Sequence, residues 1–126
     1  MLPAGNRLRT SAEFAAVVRS GRRAGSRHLV VHVLHDQGSG MPRAGFVVSA
    51  KVGNAVVRHR ITRRLRPMVR RELTLMPAGT DVVVRALPSA AAAAGRDLDR
   101  DLRSGLAAAE RKWAGAAVPS RAGVPS

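Results

Sequence analysis

The sequence predicts an α+β domain with one small sheet, on three observations. Apolar residues recur at helical spacing between Asn54 and about Leu73, three short runs are rich in β-branched residues, and other stretches carry helix caps or strong helix formers. The predicted order is helix, strand, strand, helix, strand, helix. A length of 126 residues suits one domain with one modest core.

A first helix is predicted from Ser11 to Ser20. Thr10 and Glu13 have the spacing of a capping box, in which the hydroxyl and the carboxylate bind free amides at a helix start. Gly21 would end the helix. The apolar stripe expected to pack on the core is Phe14, Val17 and Val18.

Two strands are predicted next, from Arg27 to His35 and from Arg43 to Ala50, because both runs are rich in branched residues. The turn-forming residues 36–42 between them predict a β-hairpin. Alternation gives the first strand an apolar face and a face that carries two imidazoles. The apolar face is Leu29, Val31 and Val33, and the other is His28, Val30, His32 and Leu34.

The second helix is predicted from Asn54 to about Leu73, with a cationic face opposite an apolar stripe. Pro67 lies inside it, and because proline lacks an amide hydrogen we expect a kink or an early end near Arg66. The predicted apolar stripe is Val57, Ile61, Leu65 and Met68.

The remaining elements are a third strand from Asp81 to Leu87 and a helix after Ser89. The apolar stripe of that helix is Leu98, Leu102, Leu106, Ala109 and Trp113. Residues 115–126 show no periodicity and contain two prolines, which predicts a disordered tail after a single domain of residues 1–114.

The charge balance predicts a polyanionic partner. Lys and Arg number 22 against 8 Asp and Glu, for a formal charge of +14, and only Lys51 and Lys112 of these cations are lysines. A compact chain with this charge repels itself unless anions surround it, and Arg suits phosphate oxygens and stacking on bases. Nucleic acid is the commonest partner of this kind.

Cysteine is absent and no apolar run approaches about 18 residues, so the sequence indicates neither disulfides nor a membrane span. The N-terminus lacks the apolar stretch of a signal peptide, and we expect a cytoplasmic protein. The histidines and carboxylates show no spacing that commits a metal site or a catalytic group, and we expect neither in the protein.

The segment with the most specific chemistry runs from Lys51 to Arg66. Seven arginines lie within residues 58–71 without an acid among them, and phosphates placed between guanidinium groups would make this arrangement favourable. Gly53 and Asn54 allow a tight turn and an N-cap, which leaves free helix amides for an anion beside Lys51. The alternative is a plain turn followed by a solvated cationic face.

Residues 53–66, GNAVVRHRITRRLR, resemble the signature helix of the ribonuclease P protein family almost residue by residue. Upstream support comes from NRLR at residues 6–9 and RAGFVVS at residues 43–49. The resemblance extends from about Arg7 to Leu87. It implies a two-layer sandwich similar to the second domain of ribosomal protein S5, in the order α-β-β-α-β-α, with a left-handed βαβ crossover at the arginine-rich helix.

The resemblance also implies a function, that of a subunit of ribonuclease P, the endonuclease that removes the 5′ leader from precursor tRNA. In this family the RNA subunit performs the chemistry with Mg²⁺ that it mainly holds, and the protein binds the catalytic RNA and the leader. The residues implied for RNA binding are Lys51, Asn54, Arg58, Arg60, Arg63, Arg64, Arg66 and Arg70. Those implied for the leader cleft are Arg9, Phe14, Val18 and His32. The expected partners are the catalytic RNA and precursor tRNA, with neither DNA nor membrane.

Some positions depart from the family pattern and thin out both the cationic contacts and the aromatic cleft. The departures are Ala50 for Lys, His59 for Asn, Thr62 for a basic residue, and Val18 and His32 for aromatic residues. With two Phe, one Trp and no Tyr in the chain, a platform of several stacked rings cannot form. Core packing explains Phe14 as well as leader contact does, and His32 is also explained as a plain strand residue.

Two rival functions are open at this point. A structural RNA-binding protein of the ribosomal kind would show the same charge, and only residues 53–66 favour the ribonuclease P subunit over it. A DNA-binding module would place its arginine helix in the major groove, but the sequence lacks a helix-turn-helix pair and base-reading Asn or Gln.

Overall fold

The computed structural model shows a four-stranded sheet with α-helices on both of its faces, which confirms the α+β prediction. It describes residues 2, 4–35 and 38–122. The α-helices are α1 (Ser11–Ser20), α2 (Ala55–Leu73) and α3 (Gly95–Ala122). The strands are β1 (Arg22–Gly25), β2 (Leu29–Leu34), β3 (Arg43–Val47) and β4 (Asp81–Ala86), and two short 3₁₀ helices cover Ala4–Asn6 and Pro88–Ala92.

The strand order is β1-β2-β4-β3, and this order shows that the predicted β-hairpin is wrong. β4 lies between β2 and β3 and pairs antiparallel with β2 and parallel with β3. The hairpin partner of β2 is instead β1, reached through a tight turn in which the Ser26 amide donates to the Leu29 carbonyl at 2.8 Å. Because β1 reads RRAG and has no branched residue, β-propensity gave no sign of it.

The parallel pair of strands requires a crossover connection, and α2 supplies it between β3 and β4. The left hand of that crossover stays a prediction from the resemblance. The crossover places the arginine-rich helix beside β3 with its apolar stripe against the sheet.

The alternation predicted for β2 distributes its side chains between two cores. Val31 and Val33 belong to the larger core, which α2 and α3 close, whereas Leu34 packs with Val83 in a smaller core that Val17 of α1 closes. α1 therefore covers part of the face opposite α2 and α3. The buried residues on α2 and α3 include Ile61, Leu65, Val69, Leu73, Leu98, Leu102, Leu106 and Ala109.

α1 has the predicted bounds, and its capping box is formed. The Glu13 amide donates to Thr10 Oγ1 at 3.1 Å, and the Thr10 amide donates to Glu13 Oε1 at 2.9 Å. Of the predicted stripe only Val17 is fully buried, Phe14 is half-buried, and Val18 is 41% exposed. The stripe is narrower than predicted because α1 lies over the two central strands, β2 and β4, and only its side that faces them is buried.

α2 runs through Pro67 to Leu73, so the prediction of an early end is wrong. Pro67 is exposed, and buried Leu65 and Val69 anchor the helix on either side of it. Tertiary packing of this apolar face compensates for the hydrogen bond that proline cannot make. Val69, absent from the predicted stripe, is buried in place of Met68, which is half-buried.

The last helix begins at Gly95 after the second 3₁₀ helix. Its backbone continues through residues 115–122, where we predicted a disordered tail, and residues 123–126 of that tail lie outside the described residues. None of the helices in the described ranges has the length and hydropathy needed to cross a membrane.

Candidate nucleic-acid interface

The seven arginines of α2 fall into two sets according to their contacts. Four make no side-chain hydrogen bond or ion pair with any described residue, and three bind other parts of the chain. We call the first set the open arginines; they are Arg58, Arg63, Arg66 and Arg70. We call the second set the anchoring arginines; they are Arg60, Arg64 and Arg71.

Two anchoring arginines hold the second 3₁₀ helix and the segment after it. Arg60 Nη2 donates to the Ala91 carbonyl at 3.1 Å, and Arg64 Nη1 donates to the Ala93 carbonyl at 3.3 Å. A guanidinium group carries five N–H donors, so each side chain retains donors for a second partner. Both residues were predicted only as RNA ligands, and their structural contact was missed because residues 88–94 carry no charge that signals it.

Arg71 joins α2 to α3. It donates to Asp99 at 2.5 Å and to Glu72 at 3.1 Å, and the hydrogen bond to Asp99 is the main cause that raises the pKa of Arg71. Because both contacts are ion pairs at a partly exposed surface, they contribute modestly to stability, yet they occupy this cation.

Three of the open arginines form one stripe along α2. Arg63, Arg66 and Arg70 are three and four residues apart, so they lie on neighbouring turns of the same side. Arg63 and Arg70 are exposed, whereas Arg66 is half-buried. Adjacent guanidinium groups repel one another, and a phosphate chain along this side would remove that repulsion.

A groove of about 450 Å³ lies between α1, β3 and the start of α2. Two aromatic rings, Phe14 and Phe46, and three arginines, Arg7, Arg58 and Arg66, line it. The structure thus joins a predicted leader residue, Phe14, to two predicted ligands of the catalytic RNA. Sequence reasoning treated these as separate sites, and it missed Arg7 and Phe46 as lining residues although both lie in segments of family resemblance.

Phe14 packs directly on the backbone of Gly45. A Cβ at position 45 would lie 2.2 Å from Phe14 Cζ, so only glycine allows the ring to approach the sheet this closely. One side of the ring therefore belongs to the small core while the groove remains on the other. The two interpretations of Phe14, core packing and ligand contact, describe the two sides of one ring.

Arg58 carries an unsatisfied donor beside this groove. Its Nε is buried and has no hydrogen-bond partner among the described residues. A buried donor without a partner costs about 1–3 kcal/mol, and a ligand that accepts from it would recover that free energy. The neighbourhood of Arg58 is thus suited to an anionic ligand.

His32 lies on the sheet face that α1 packs against, and it is only 4% exposed. Both of its ring nitrogens are buried without a partner among the residues described. Burial is the main cause that lowers its pKa, and the charges of Arg85 and Arg23 lower it further, so the ring is held neutral. His32 and Gly45 both pair with Val83, so two strand spacings of about 4.8 Å separate their backbones.

Sequence reasoning missed the two cations that flank His32. Arg23 is its register partner on β1, and Arg85 lies on β4 opposite Val30. Arg85 could have been noticed in the sequence, because it follows three valines in the strand DVVVRA, where it is the one exposed residue. Arg23 had none, since β1 itself was not predicted.

The other predicted cleft residues lie at the surface. Val18 is exposed on the side of α1, and Arg9 is exposed just before it. The Arg9 amide donates to Glu13 Oε1 at 2.7 Å, which fixes the backbone that leads into α1. Neither residue lines the groove that contains Phe14.

Lys51 and Asn54 mark the start of α2. Lys51 is exposed, and Asn54 Oδ1 accepts from the Val57 amide at 3.0 Å, which confirms the predicted N-cap. Gly53 is needed here because a Cβ would lie 2.9 Å from Val57 Cβ. The amide nitrogen of the Asn54 side chain still has its donors for a ligand.

Arg43 binds the carboxylates of Glu13, on α1, and Asp81, on β4. Arg43 donates to Asp81 at 2.8 Å and to Glu13 at 2.6 Å, and the hydrogen bond to Asp81 is the main cause that raises the pKa of Arg43. Hydrogen bonds from the Arg9 and Thr10 amides, with Arg43 beside them, lower the pKa of Glu13 to about 2. These oxygens already have cationic partners, so they do not suit a Mg²⁺ ion.

Comparison with protein families and curated proteins gives one consistent result. The family model described as Ribonuclease P matches residues 2–110. The ribonuclease P protein component of Rhodococcus jostii is 52% identical over 112 residues, covering 84% of this chain and 90% of that protein. That of Kocuria rhizophila is 50% identical over 114 residues, covering 90% of this chain and 100% of the relative.

Solved structures of the same kind share the fold. The RNase P protein of Staphylococcus aureus superposes with a TM-score of 0.75 at 27% identity, over 82% of this chain and 94% of the other. The RNase P protein of Thermotoga maritima superposes with a TM-score of 0.68 at 26% identity, over 83% of this chain and 96% of the other.

Proposed function

The chain belongs to the ribonuclease P protein family, and from that premise we propose how its surface divides two RNA contacts. As a ribonuclease P protein component it is a subunit of an endoribonuclease that processes the 5′ ends of tRNA. In our proposal the outer side of α2 binds the catalytic RNA, and the α1 side of the groove binds the 5′ leader of precursor tRNA. Residues 1–114 act as one RNA-binding domain.

One observation carries this division: four arginines of α2 have no partner in the described residues, and two of them line the groove that contains Phe14. Counterion release by phosphate contacts is the main source of affinity for RNA. A continuous path of unengaged guanidinium groups from the outer side of α2 into the groove supports two RNA segments meeting there.

The contact with the catalytic RNA uses the cations of α2 and its N-terminal turn. The open arginines supply phosphate contacts without losing any described contact of the fold. Arg60 and Arg64 contribute their remaining donors at the other edge, and Lys51 and the Asn54 amide add contacts at the helix start, where free amides favour an anion.

The contact with the leader uses the free side of the Phe14 ring. Stacking of one base on an aromatic ring contributes about 1–3 kcal/mol, and Arg58 can donate to the adjoining phosphate. In the proposal Val18 and Arg9 add contacts from the exposed surface of α1 and the segment before it, and His32 contributes little surface because it is only 4% exposed. The leader site therefore has one principal ring.

The chemistry belongs to the RNA subunit with Mg²⁺ in this proposal. The carboxylates of Glu13 and Asp81 are bound by Arg43, and the described residues hold no group of three or more His, Asp or Glu that could hold a metal. The protein's own residues bind and orient RNA and neutralise its charge. We place this activity in the cytoplasm, with no DNA or membrane partner.

Single-cysteine variants test the division, since the natural chain has no cysteine. Val18→Cys lies on the exposed side of α1, Val56→Cys lies on the exposed side of α2 without removing a cation, and Ser104→Cys on α3 serves as the control. Each is labelled with an iron chelate that cleaves nearby RNA and is assembled with the catalytic RNA and precursor tRNA.

We expect the Val18 label to cleave the leader, the Val56 label to cleave the catalytic RNA, and the Ser104 label to cleave neither efficiently. Cleavage of the catalytic RNA alone from position 18, or of the leader from position 56, would contradict the proposed division. Equal cleavage from all three positions would show that the protein has no fixed orientation on the RNA.

A further inference from the structure

A second pocket, of about 380 Å³, lies away from the groove, where the start of β2 meets the second 3₁₀ helix and the start of α3. Its lining combines four polar or charged residues with two alanines. The lining residues are Arg27, His28, Ser89, Ala92, Ala93 and Asp97. The anchoring arginine Arg64 donates to the Ala93 carbonyl, so the pocket adjoins the edge of α2 opposite the groove.

The hydrogen bonds of Ser89 fix the proton position on His28. The single hydroxyl hydrogen of Ser89 is donated to the Arg27 carbonyl at 3.0 Å. His28 Nδ1 lies 2.8 Å from the same Ser89 oxygen, and with the Ser89 hydrogen on the Arg27 carbonyl we assign the donor role in that contact to Nδ1. The tautomer that this assignment selects carries its hydrogen on Nδ1 and a lone pair on Nε2.

His28 lines the pocket, and its Nε2 is the acceptor of the ring. His28 is only 8% exposed, and its backbone amide donates to Asp101 Oδ2 at 2.9 Å, so the residue is fixed at two points. Among the residues that the structure describes, no donor reaches Nε2. A fixed, largely buried imidazole with an unused lone pair suits a ligand that donates a hydrogen bond.

The charges around the pocket select the occupant. Asp97 presents a second acceptor there, and although Arg100 pairs with it at 3.3 Å, its carboxylate would oppose a phosphate placed beside His28. Arg27 and the nearby Arg64 oppose a bare metal cation. An RNA nucleotide meets both conditions, because its ribose 2′-hydroxyl donates while its phosphate can extend toward Arg27.

We propose that this pocket binds one nucleotide of the catalytic RNA through its ribose 2′-hydroxyl, which donates to His28 Nε2, while Arg27 contacts the adjoining phosphate. Ser89 is a positioning residue that keeps the acceptor nitrogen facing the ribose. The inference rests on the proposed contact between α2 and the catalytic RNA, and it extends that interface past Arg60 and Arg64 to the start of α3. DNA, which lacks the donor, does not satisfy the site.

The test uses the partner ribonuclease P RNA with 2′-deoxy nucleotides incorporated at random and marked by phosphorothioate linkages. RNA bound by the full-length protein is separated from unbound RNA, and each sensitive position is mapped by iodine cleavage. With the natural protein, one 2′-deoxy position near this pocket should weaken binding about 2- to 10-fold, the value of one hydrogen bond. With His28→Ala that position should become insensitive, and with His28→Gln, whose amide oxygen can accept, it should stay sensitive.

Ala92→Cys provides a second measurement that leaves His28 intact. Ala92 is exposed and lines the pocket, so an iron chelate at this position should cleave the catalytic RNA beside the same sensitive nucleotide. Thermal unfolding identifies any variant that fails to fold, and the Ala92 result then decides. Cleavage far from every 2′-deoxy-sensitive position would overturn the proposal, as would a pattern of sensitivity that folded His28→Ala leaves unchanged.

These failures differ from a failure of the proposed function. If Arg63→Ala and Arg70→Ala still weaken binding to the catalytic RNA while no sensitive position depends on His28, only the ribose pocket is wrong. If the α2 variants bind normally as well, the proposed RNA surface of α2 is wrong.

Discussion

Both edges of α2 carry arginines, but the arginines of the two edges have different roles. On one edge Arg60, Arg64 and Arg71 bind carbonyls and carboxylates of the same chain, at distances of 2.5 to 3.3 Å. On the other edge and in the groove the open arginines have no partner in the described ranges. A run of arginines that looks uniform in the sequence is thus partly a structural device and partly an exposed binding surface.

The comparison shows that charge density alone does not identify the arginines that bind RNA. An anchoring arginine exchanges water for a fixed partner when the chain folds, whereas an open arginine does so only when RNA binds. Substitution of an open arginine should therefore lower RNA affinity without a loss of stability, whereas substitution of an anchoring arginine should lower stability.

The largest effect is expected from removing two open arginines together, Arg63→Ala with Arg70→Ala. At low Mg²⁺ the reconstituted enzyme depends most on the protein's cations, because fewer metal ions neutralise the RNA. We expect the variant to lose most of the protein's stimulation of precursor-tRNA cleavage, measured in single-turnover assays with excess enzyme. Its unfolding free energy should change by less than about 1 kcal/mol in total.

The control of equal charge is Arg103→Ala with Arg111→Ala, which removes two positive charges from exposed positions of α3 and, at Arg103, one ion pair with Asp99 at 3.4 Å. That variant should retain the stimulation. Equal loss in both variants would show that net charge, rather than the open arginines, determines the effect.

A smaller effect on cleavage, combined with a loss of stability, is expected from Arg60→Ala. This substitution leaves the Ala91 carbonyl without its donor, which should lower the unfolding free energy by about 1 kcal/mol in urea denaturation. It should also reduce the log-log salt slope of RNA binding by about 0.7 to 0.9, for one lost phosphate contact. Arg63→Ala should reduce the slope equally without the loss of stability. If both variants were equally stable, the anchoring contact of Arg60 would be negligible.

Phe14→Leu tests whether the groove edge also contacts the leader. Leucine keeps most of the apolar volume over Gly45 but cannot stack on a base. The ratio of affinities for precursor and mature tRNA should fall by about tenfold, within the range of one lost stacking contact. An equal decrease for both tRNA forms would assign Phe14 to the core alone.

The smallest effect concerns stability in acid. The pKa of Glu13 is about 2 in the folded protein against 4.5 for the free side chain, so the folded state favours the ionised form. This contribution is fully present above pH 4.5 and is lost as the pH falls toward 2. Denaturation curves across that window should show stability falling less steeply in Glu13→Gln than in the natural protein. A parallel decline in both proteins would exclude Glu13 as a source.

The sequence predicted those parts of the fold whose causes are local. The bounds of α1 follow from a capping box between Thr10 and Glu13, and the start of α2 follows from Asn54, so both were predictable. The pairing of β2 was not, because strand order depends on which partner buries the shared face. β1 escaped prediction since RRAG acquires its strand conformation only by pairing with β2.

The residues of the RNA-binding site also include some that the sequence predicted and some that it could not. The cationic helix and its N-cap could be read from residues 51–70, and Phe14 from its place on α1. The sequence could not show that Arg60 and Arg64 reach across to carbonyls near Ala91, because backbone acceptors have no signature. Nor could it show that Gly45 seats the Phe14 ring or that His32 is buried between strands.

The most direct test of the central claim compares Arg66→Ala with Arg71→Ala in equilibrium binding to the catalytic RNA across a salt series. Both variants lose one positive charge from the same helix, but Arg66 is open and Arg71 is held by Asp99 and Glu72. We predict that Arg66→Ala lowers the log-log salt slope by about 0.7 to 0.9 and that Arg71→Ala leaves it unchanged. Equal decreases in the two variants would contradict the claim that an arginine paired with carboxylates of the same chain does not bind RNA.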